Sequence, residues 1–341
     1  MRLALSARLL AFAALVVPLS TQHAHAQADF YKGKAVELMI GYSVGGGYDV
    51  YARLIARHLG KHIPGNPIVT PKNMDGAGSL RLANWLYNVA SKEGLVFGTI
   101  GRGTGFDPLL GSKQAQFDGT KFNWIGSITN EVSTCVAWHT ATVKTWADML
   151  EKPITLGGDG PGADPDVFAL LYRNVFDAKI KLVSGYHGTT PIILAMERGE
   201  VDGLCGYSWS TIRSKHQPWL QAKTINILVQ AGLKKDAEIA DVPLVLDMAK
   251  TEEQRQILKL ILTSQETARP FAAPPGLPAD RAATLRAAFD STMKDPEFLA
   301  EAKKLNLDVN PLSGTTIASL LTELYAMPKS VIEKAAQAVS K

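Results

Sequence analysis

Apolar residues follow two rhythms along the chain: short runs, and longer stretches in which they recur every three or four positions. The runs predict strands over 36–40, 68–70, 96–100, 122–128, 133–138, 154–157, 180–184 and 201–207. The longer pattern predicts helices over 50–59, 80–90, 145–150, 192–197, 281–293, 296–304 and 315–334. Strands alternating with amphipathic helices give an α/β fold.

Several of these strands end in glycine loops that open helices. The first is Gly41-Tyr42-Ser43-Val44-Gly45-Gly46-Gly47-Tyr48-Asp49, and the second is Asn73-Met74-Asp75-Gly76-Ala77-Gly78-Ser79. The third, Gly158-Asp159-Gly160-Pro161-Gly162-Ala163, precedes Asp164 and Pro165, which suit an N-cap and a first helical residue. The fourth, Gly185-Tyr186-His187-Gly188-Thr189-Thr190, precedes Pro191 in the same way. Glycines free several N–H groups to point at one spot, and a helix N-terminus adds partial positive charge, so such loops hold anions. In open α/β sheets ligands sit beyond the carboxyl ends of strands, and two such sheets face to face would line a cleft.

The first 26 residues carry Arg2, Arg8 and an apolar run from Leu9 to Leu19, ending near Ala26 or Ala28. They read as a cleaved signal, which makes the product a soluble, exported, periplasmic protein. Of the 341 residues, the rest suffices for two domains. The net charge of +4 falls to +2 without Arg2 and Arg8, and no dense basic run remains, so nucleic acid is excluded as a partner. Cys135 and Cys205 lie in apolar runs and read as two buried thiols rather than a disulfide.

Other chemistries find weaker support. Gly41-Tyr42-Ser43-Val44-Gly45 is a literal G-x-S-x-G on a strand-to-helix turn, the elbow of a serine hydrolase. Only one strand precedes it, so no upstream strand supplies a second oxyanion donor, and Ser43 reads better as a ligand contact. G-x-G-x-x-G is not completed after Gly45, and no phosphate loop exists, so no cofactor is expected. His58 and His62 share a helix face without a helical glutamate between them and read as surface histidines near a helix end, so no metal is expected.

The ordered set Gly45-Gly46-Gly47-Tyr48-Asp49, Asn73 with Gly76-Ala77-Gly78, Gly158 to Gly162, Tyr186-His187-Gly188, Gly199-Glu200-Val201-Asp202 and Ala240-Asp241-Val242-Pro243 resembles the solute receptors of tripartite tricarboxylate transporters. These Bug-type receptors are matched across the whole mature chain, including Ala273 to Pro278 and Asp295-Pro296-Glu297. The resemblance implies a type II periplasmic binding protein: two α/β domains joined by hinge strands, with residues 29–131 and 226–341 in one and 132–225 in the other. It further implies a monomer without enzymatic activity that closes on a small organic acid, a mono- or dicarboxylate, and delivers it to a membrane permease. A solute sensor on the same fold is the other reading of the resemblance.

By that analogy the ligand contacts are Tyr42, Ser43, Gly45, Gly46, Gly47, Tyr48 and Asp49 of the first loop and Gly76, Ala77, Gly78 and Ser79 of the second. Gly160, Gly162 and Asp164 stand where the family offers hydroxyls. Tyr42, Tyr48, Tyr207 and Trp209 suit an aromatic or longer acid, or pack the base of the hinge. Arg102, at a strand end, either forks onto a distal carboxylate or is a solvated loop residue. His187 is either a ligand donor or a turn residue, and Asp49 either takes a ligand amine or answers the helix dipole.

Overall fold

The computed structural model describes residues 30–340; the signal segment and its cleavage sites lie outside them. The strands are β1 (Ala35–Ile40), β2 (Ile68–Asn73), β3 (Val96–Thr99), β4 (Asn123–Ser127), β5 (Ser133–Trp138), β6 (Ile154–Gly158), β7 (Ile180–Ser184), β8 (Gly203–Ser208), β9 (Ile225–Ala231), β10 (Pro270–Ala273) and β11 (Leu312–Ser313). The α-helices are α1 (Gly47–Leu59), α2 (Leu80–Asn88), α3 (Trp146–Glu151), α4 (Asp164–Phe176), α5 (Thr189–Glu197), α6 (Trp209–Lys215), α7 (Gln217–Ala222), α8 (Glu252–Leu262), α9 (Ala279–Thr292), α10 (Pro296–Lys304), α11 (Gly314–Tyr325) and α12 (Lys329–Ala338).

Two mixed sheets result, ordered β11-β4-β10-β3-β1-β2 and β7-β6-β8-β5-β9. In the first, β1 runs parallel to β2 and β3, while β10 is antiparallel to β3 and β4. The start of β10 therefore lies at the edge where β1 and β3 end. In the second, β6 is parallel to β7 and β8, and β5 is antiparallel to β8 and β9. Pairing of Ser133 with both Ser208 and Ala231 puts the start of β5 and the ends of β8 and β9 at one edge. The chain enters this sheet after β4 and leaves it after β9, at Ala231 rather than near Asn226.

Each sheet is packed by the apolar faces of its helices. Leu54 and Ile55 of α1 meet Val36, Leu38, Phe97 and Phe271, whereas Ile192 and Met196 of α5 meet Val136 and Leu204. A third cluster runs from Met39 and Leu82 beside the first sheet to Cys135, Phe168 and Leu228 in and around the second. No helix among the described residues is long and apolar enough to cross a membrane.

Three local expectations change. Cys135 and Cys205 are joined in a disulfide, because β5 and β8 are neighbours and a register shift turns the two side chains together. The helix expected over 315–334 is two, α11 and α12, broken before Pro328, which lacks the N–H a continuing helix needs. The 252–262 helix and the 270–273 strand carry patterns too short or too charged to be read as elements.

Candidate functional site

At the edge where both sheets end, a cavity is lined by Tyr42, Ser43, Gly46, Gly47 and Tyr48 from the loop after β1, and by Arg102 from the loop after β3. Arg269, directly before β10, completes that side. The second sheet contributes Asp159, Asp164, Pro165, Thr189, Gly206, Tyr207, Ser208 and Thr211. The helices α1, α4 and α5 begin at Gly47, Asp164 and Thr189, so three N-termini converge on it. Its accessible volume of about 40 Å³ holds a few water molecules and no organic acid, so admitting one requires the two sides to part or side chains to move.

Arg102 is 4% exposed, which rules out a solvated loop arginine. Its Nη1 donates to Gln265 Oε1 at 2.8 Å and its Nη2 to Ser208 Oγ at 2.9 Å. Its Nε lies 2.5 Å from Asp164 Oδ2, an ion pair out of hydrogen-bond alignment. This pair spans the cavity from the first sheet to the second. Burial raises the Asp164 carboxyl above its usual range, with Arg102 and Arg269 opposing; the carboxylates of Asp164 and Glu131 keep the Arg102 guanidinium charged against its own burial. Asp164 was expected as an N-cap, but Ala163 occupies that position and the carboxylate turns to Arg102 instead.

Arg269 is 1% exposed, with its guanidinium over the Tyr48 ring at 4.7 Å and the Tyr51 ring at 5.1 Å. Nη1 donates to Ala268 O at 2.9 Å, and Nη2 reaches Thr211 Oγ1 at 3.4 Å and Glu131 Oε2 at 3.5 Å. Its Nε has no partner among the described residues. Tyr42 and Tyr48 stack at 4.2 Å between ring centroids, and the Tyr48 hydroxyl accepts from the Arg102 N–H at 2.9 Å. Burial raises both phenols, which stay protonated. Asp159 accepts from Gly188 N–H at 3.0 Å, and burial lifts its carboxyl to about 6 despite that bond.

Among the residues singled out from sequence, Tyr42, Ser43, Gly46, Gly47, Tyr48, Arg102, Asp164 and Tyr207 are brought together here. Asp49 is not: it accepts from Gly45 N–H, Arg53 and Asn73, and so ties the first loop to β2. The second loop seals rather than lines the cavity. A Cβ on Gly78 would meet Ala163 N at 2.8 Å, and one on Gly160 would meet Ala77 at 3.5 Å, so Gly76, Ala77, Gly78 and Ser79 pack toward the third loop. Gly162 packs on Asp107, and His187 is exposed at its turn. Gly45, at φ +83, shapes the loop from outside the cavity.

Arg269, Ser208, Thr211, Thr189, Asp159 and Gln265 were not singled out. Asp159 and Thr189 stood within the third and fourth glycine loops and were the legible signals; Arg269 precedes a four-residue strand that local pattern does not reveal. His58 and His62 are not free surface groups, since they meet Glu301 and Asp295 at 2.6 and 2.8 Å. His58, Asp295 and Glu297 are spaced as metal ligands, but Lys61 Nζ lies 2.6 Å from Asp295 and 2.5 Å from Glu297, where a metal ion's charge would sit.

No protein-family model matches the chain. It is 30% identical over 192 residues to a UPF0065 protein in the TAR-I ttuE–ttuC′ intergenic region of Agrobacterium vitis, covering 54% of each, so it spans about half the length of that relative. It is 22% identical over 334 residues to a UPF0065 protein in the gbd 5′ region of Cupriavidus necator, covering 95% of this chain and 94% of the other. Among solved structures it is similar to the periplasmic binding protein BugD, with a TM-score of 0.72 at 17% identity, covering 89% of this chain and 98% of that one. MatC from Rhodopseudomonas palustris with bound malate gives 0.69 at 20% identity, covering 89% and 99%, and another R. palustris protein with adipate gives 0.69 at 18%, covering 89% and 97%. The fold is therefore that of the two-domain periplasmic binding proteins of the Bug and TctC type, the group that the sequence resembles.

Proposed function

We propose, from the fold this chain shares with Bug- and TctC-type periplasmic binding proteins, that it is a periplasmic receptor that closes on a small organic acid. The observation that carries the reading is the cavity at the meeting edge of the two sheets, with two buried arginines and three helix N-termini around it. Backbone N–H groups at the start of α1 have no intrahelical acceptor and can take a carboxylate, as can Arg269 Nε. In this reading the lobes are built on the two sheets, and the hinge is residues 129–132 together with the chain leaving β9. A ligand that touches both lobes only when they close makes the closed form dominant, and that form is presented to a membrane permease of the tripartite tricarboxylate type.

The mature chain should show a saturable rise in melting temperature with one class of organic acid in a screen that includes malate and adipate, because a ligand of the folded state stabilises it by mass action. Deleting the gene should abolish uptake of that acid; binding with intact uptake would make the protein a sensor. Absence of any acid-dependent shift, with covalent labelling of Ser43 by a fluorophosphonate, would replace the receptor by a hydrolase.

A further inference from the structure

We infer that the cavity is built for a zwitterion, with a carboxylate at its arginine side and a protonated amine against Asp159, so that the ligand is an amino acid rather than a plain di- or tricarboxylate. This rests on the receptor reading above. The lining traces a path between the two poles: the Gly47 position faces Thr211 Oγ1 and Arg269 Nη2, and the Gly46 position faces Ser43 O and Thr189 Oγ1. The Gly188 position then faces Ser43 Oγ, and its N–H is the group that holds Asp159.

Charge balance separates the ligand classes. Arg102 is matched by Asp164 and Arg269 faces Glu131, which leaves Asp159 as a third carboxylate against two guanidinium groups. The carboxyls that act on Asp159, Asp166 and then Asp75, add to its negative surroundings, and the His187 imidazole beside it is exposed. A second anionic group in this space adds to an excess of negative charge with little water to screen it. A zwitterion leaves that excess unchanged where a plain mono- or dicarboxylate deepens it, and its ammonium falls beside Asp159, which accepts a hydrogen bond from Gly188 through Oδ1 while Oδ2 has no hydrogen-bond partner among the described residues. At the other pole the helix N-termini and the unpartnered Arg269 Nε suit a single carboxylate.

Isothermal titration of the mature chain with butyrate against 2-aminobutyrate, succinate against aspartate, and 3-phenylpropionate against phenylalanine tests this. At least one amino member should bind about ten-fold or more tighter than its plain partner, the factor that a charge-assisted hydrogen bond supplies. Asp159→Asn, which keeps an acceptor for Gly188, should shrink the preference to about three-fold or less. Plain acids binding as well as their amino partners in wild type, or a preference that survives Asp159→Asn, would overturn the inference and leave the receptor reading standing. If no member of any pair binds, both fail.

Discussion

Arg102→Ala leaves the Asp164 carboxylate, Gln265 Oε1 and Ser208 Oγ without their guanidinium partner in a site nearly closed to water. A buried charge stripped of its partner costs about 3–5 kcal/mol, so urea denaturation should show a loss of that size. Adding Asp164→Asn removes the orphaned charge, and the double variant should recover to within about 2 kcal/mol of wild type, a coupling that additive single losses would contradict. Asp159 carries the opposite sign of effect. Its folded-state value of about 6 lies above the ordinary 3.8, so the folded protein keeps a proton that the unfolded chain has released between those pH values. Stability therefore falls as pH rises through that window and stays lower above it, by up to about 3 kcal/mol. Asp159→Asn should be more stable than wild type at pH 7 and indistinguishable at pH 3, as read by melting temperature across pH; an equal change at both would detach Asp159 from the effect.

The elements differ in how plainly the sequence announces them. The strand, glycine loop, helix units after β1, β2, β6 and β7 are legible because loop chemistry and periodicity change together within a few residues. Arg269 is not legible, because its importance comes from β10 inserting antiparallel between β3 and β4, a pairing that involves distant segments. The disulfide is hidden for the same reason, since it needs the β5–β8 register. Asp164 misleads differently: its position beside Pro165 satisfies a capping pattern, and only the partner across the cavity shows where its carboxylate goes. The second loop shows how a correct local reading can meet a different tertiary role. Gly78 sits at φ +59 with Ala163 N 2.8 Å from where a Cβ would be. Gly78→Ala should cost more than about 1 kcal/mol, because the left-handed backbone strains an alanine and its Cβ would collide with the Ala163 backbone, and it should weaken ligand binding by about ten-fold or more because the loops no longer seat. Unchanged affinity would mean that the two loops need not meet for the ligand to be held.

Over the whole molecule, two bodies built on the two sheets meet at one edge. The second sheet has its central strands cross-linked by Cys135–Cys205, enclosing a sequence separation of 70 residues, so in the chain-entropy account the bond stabilises by about 4 kcal/mol. The Cys135→Ala/Cys205→Ala variant should lose about that much in urea, and reduction of wild type should do the same. The bond lies inside one sheet and does not bridge the two, so it leaves their closure unrestrained. Beside the apolar cluster that runs from the first sheet to the second, the contacts directly across the cavity are polar: Arg102 to Asp164 and Ser208, and Arg269 to Thr211. Such contacts exchange readily with water once the edge opens, whereas an acid in the cavity renews them on both sides. Small-angle scattering should therefore show a smaller radius of gyration with saturating ligand than without, in wild type and in the cysteine-free variant alike. Arg102→Ala/Asp164→Asn should be the more open of the variants without ligand, since it loses the pair that spans the gap. Identical scattering with and without ligand, alongside measurable affinity, would show that the acid enters by side-chain movement in a body that is already closed.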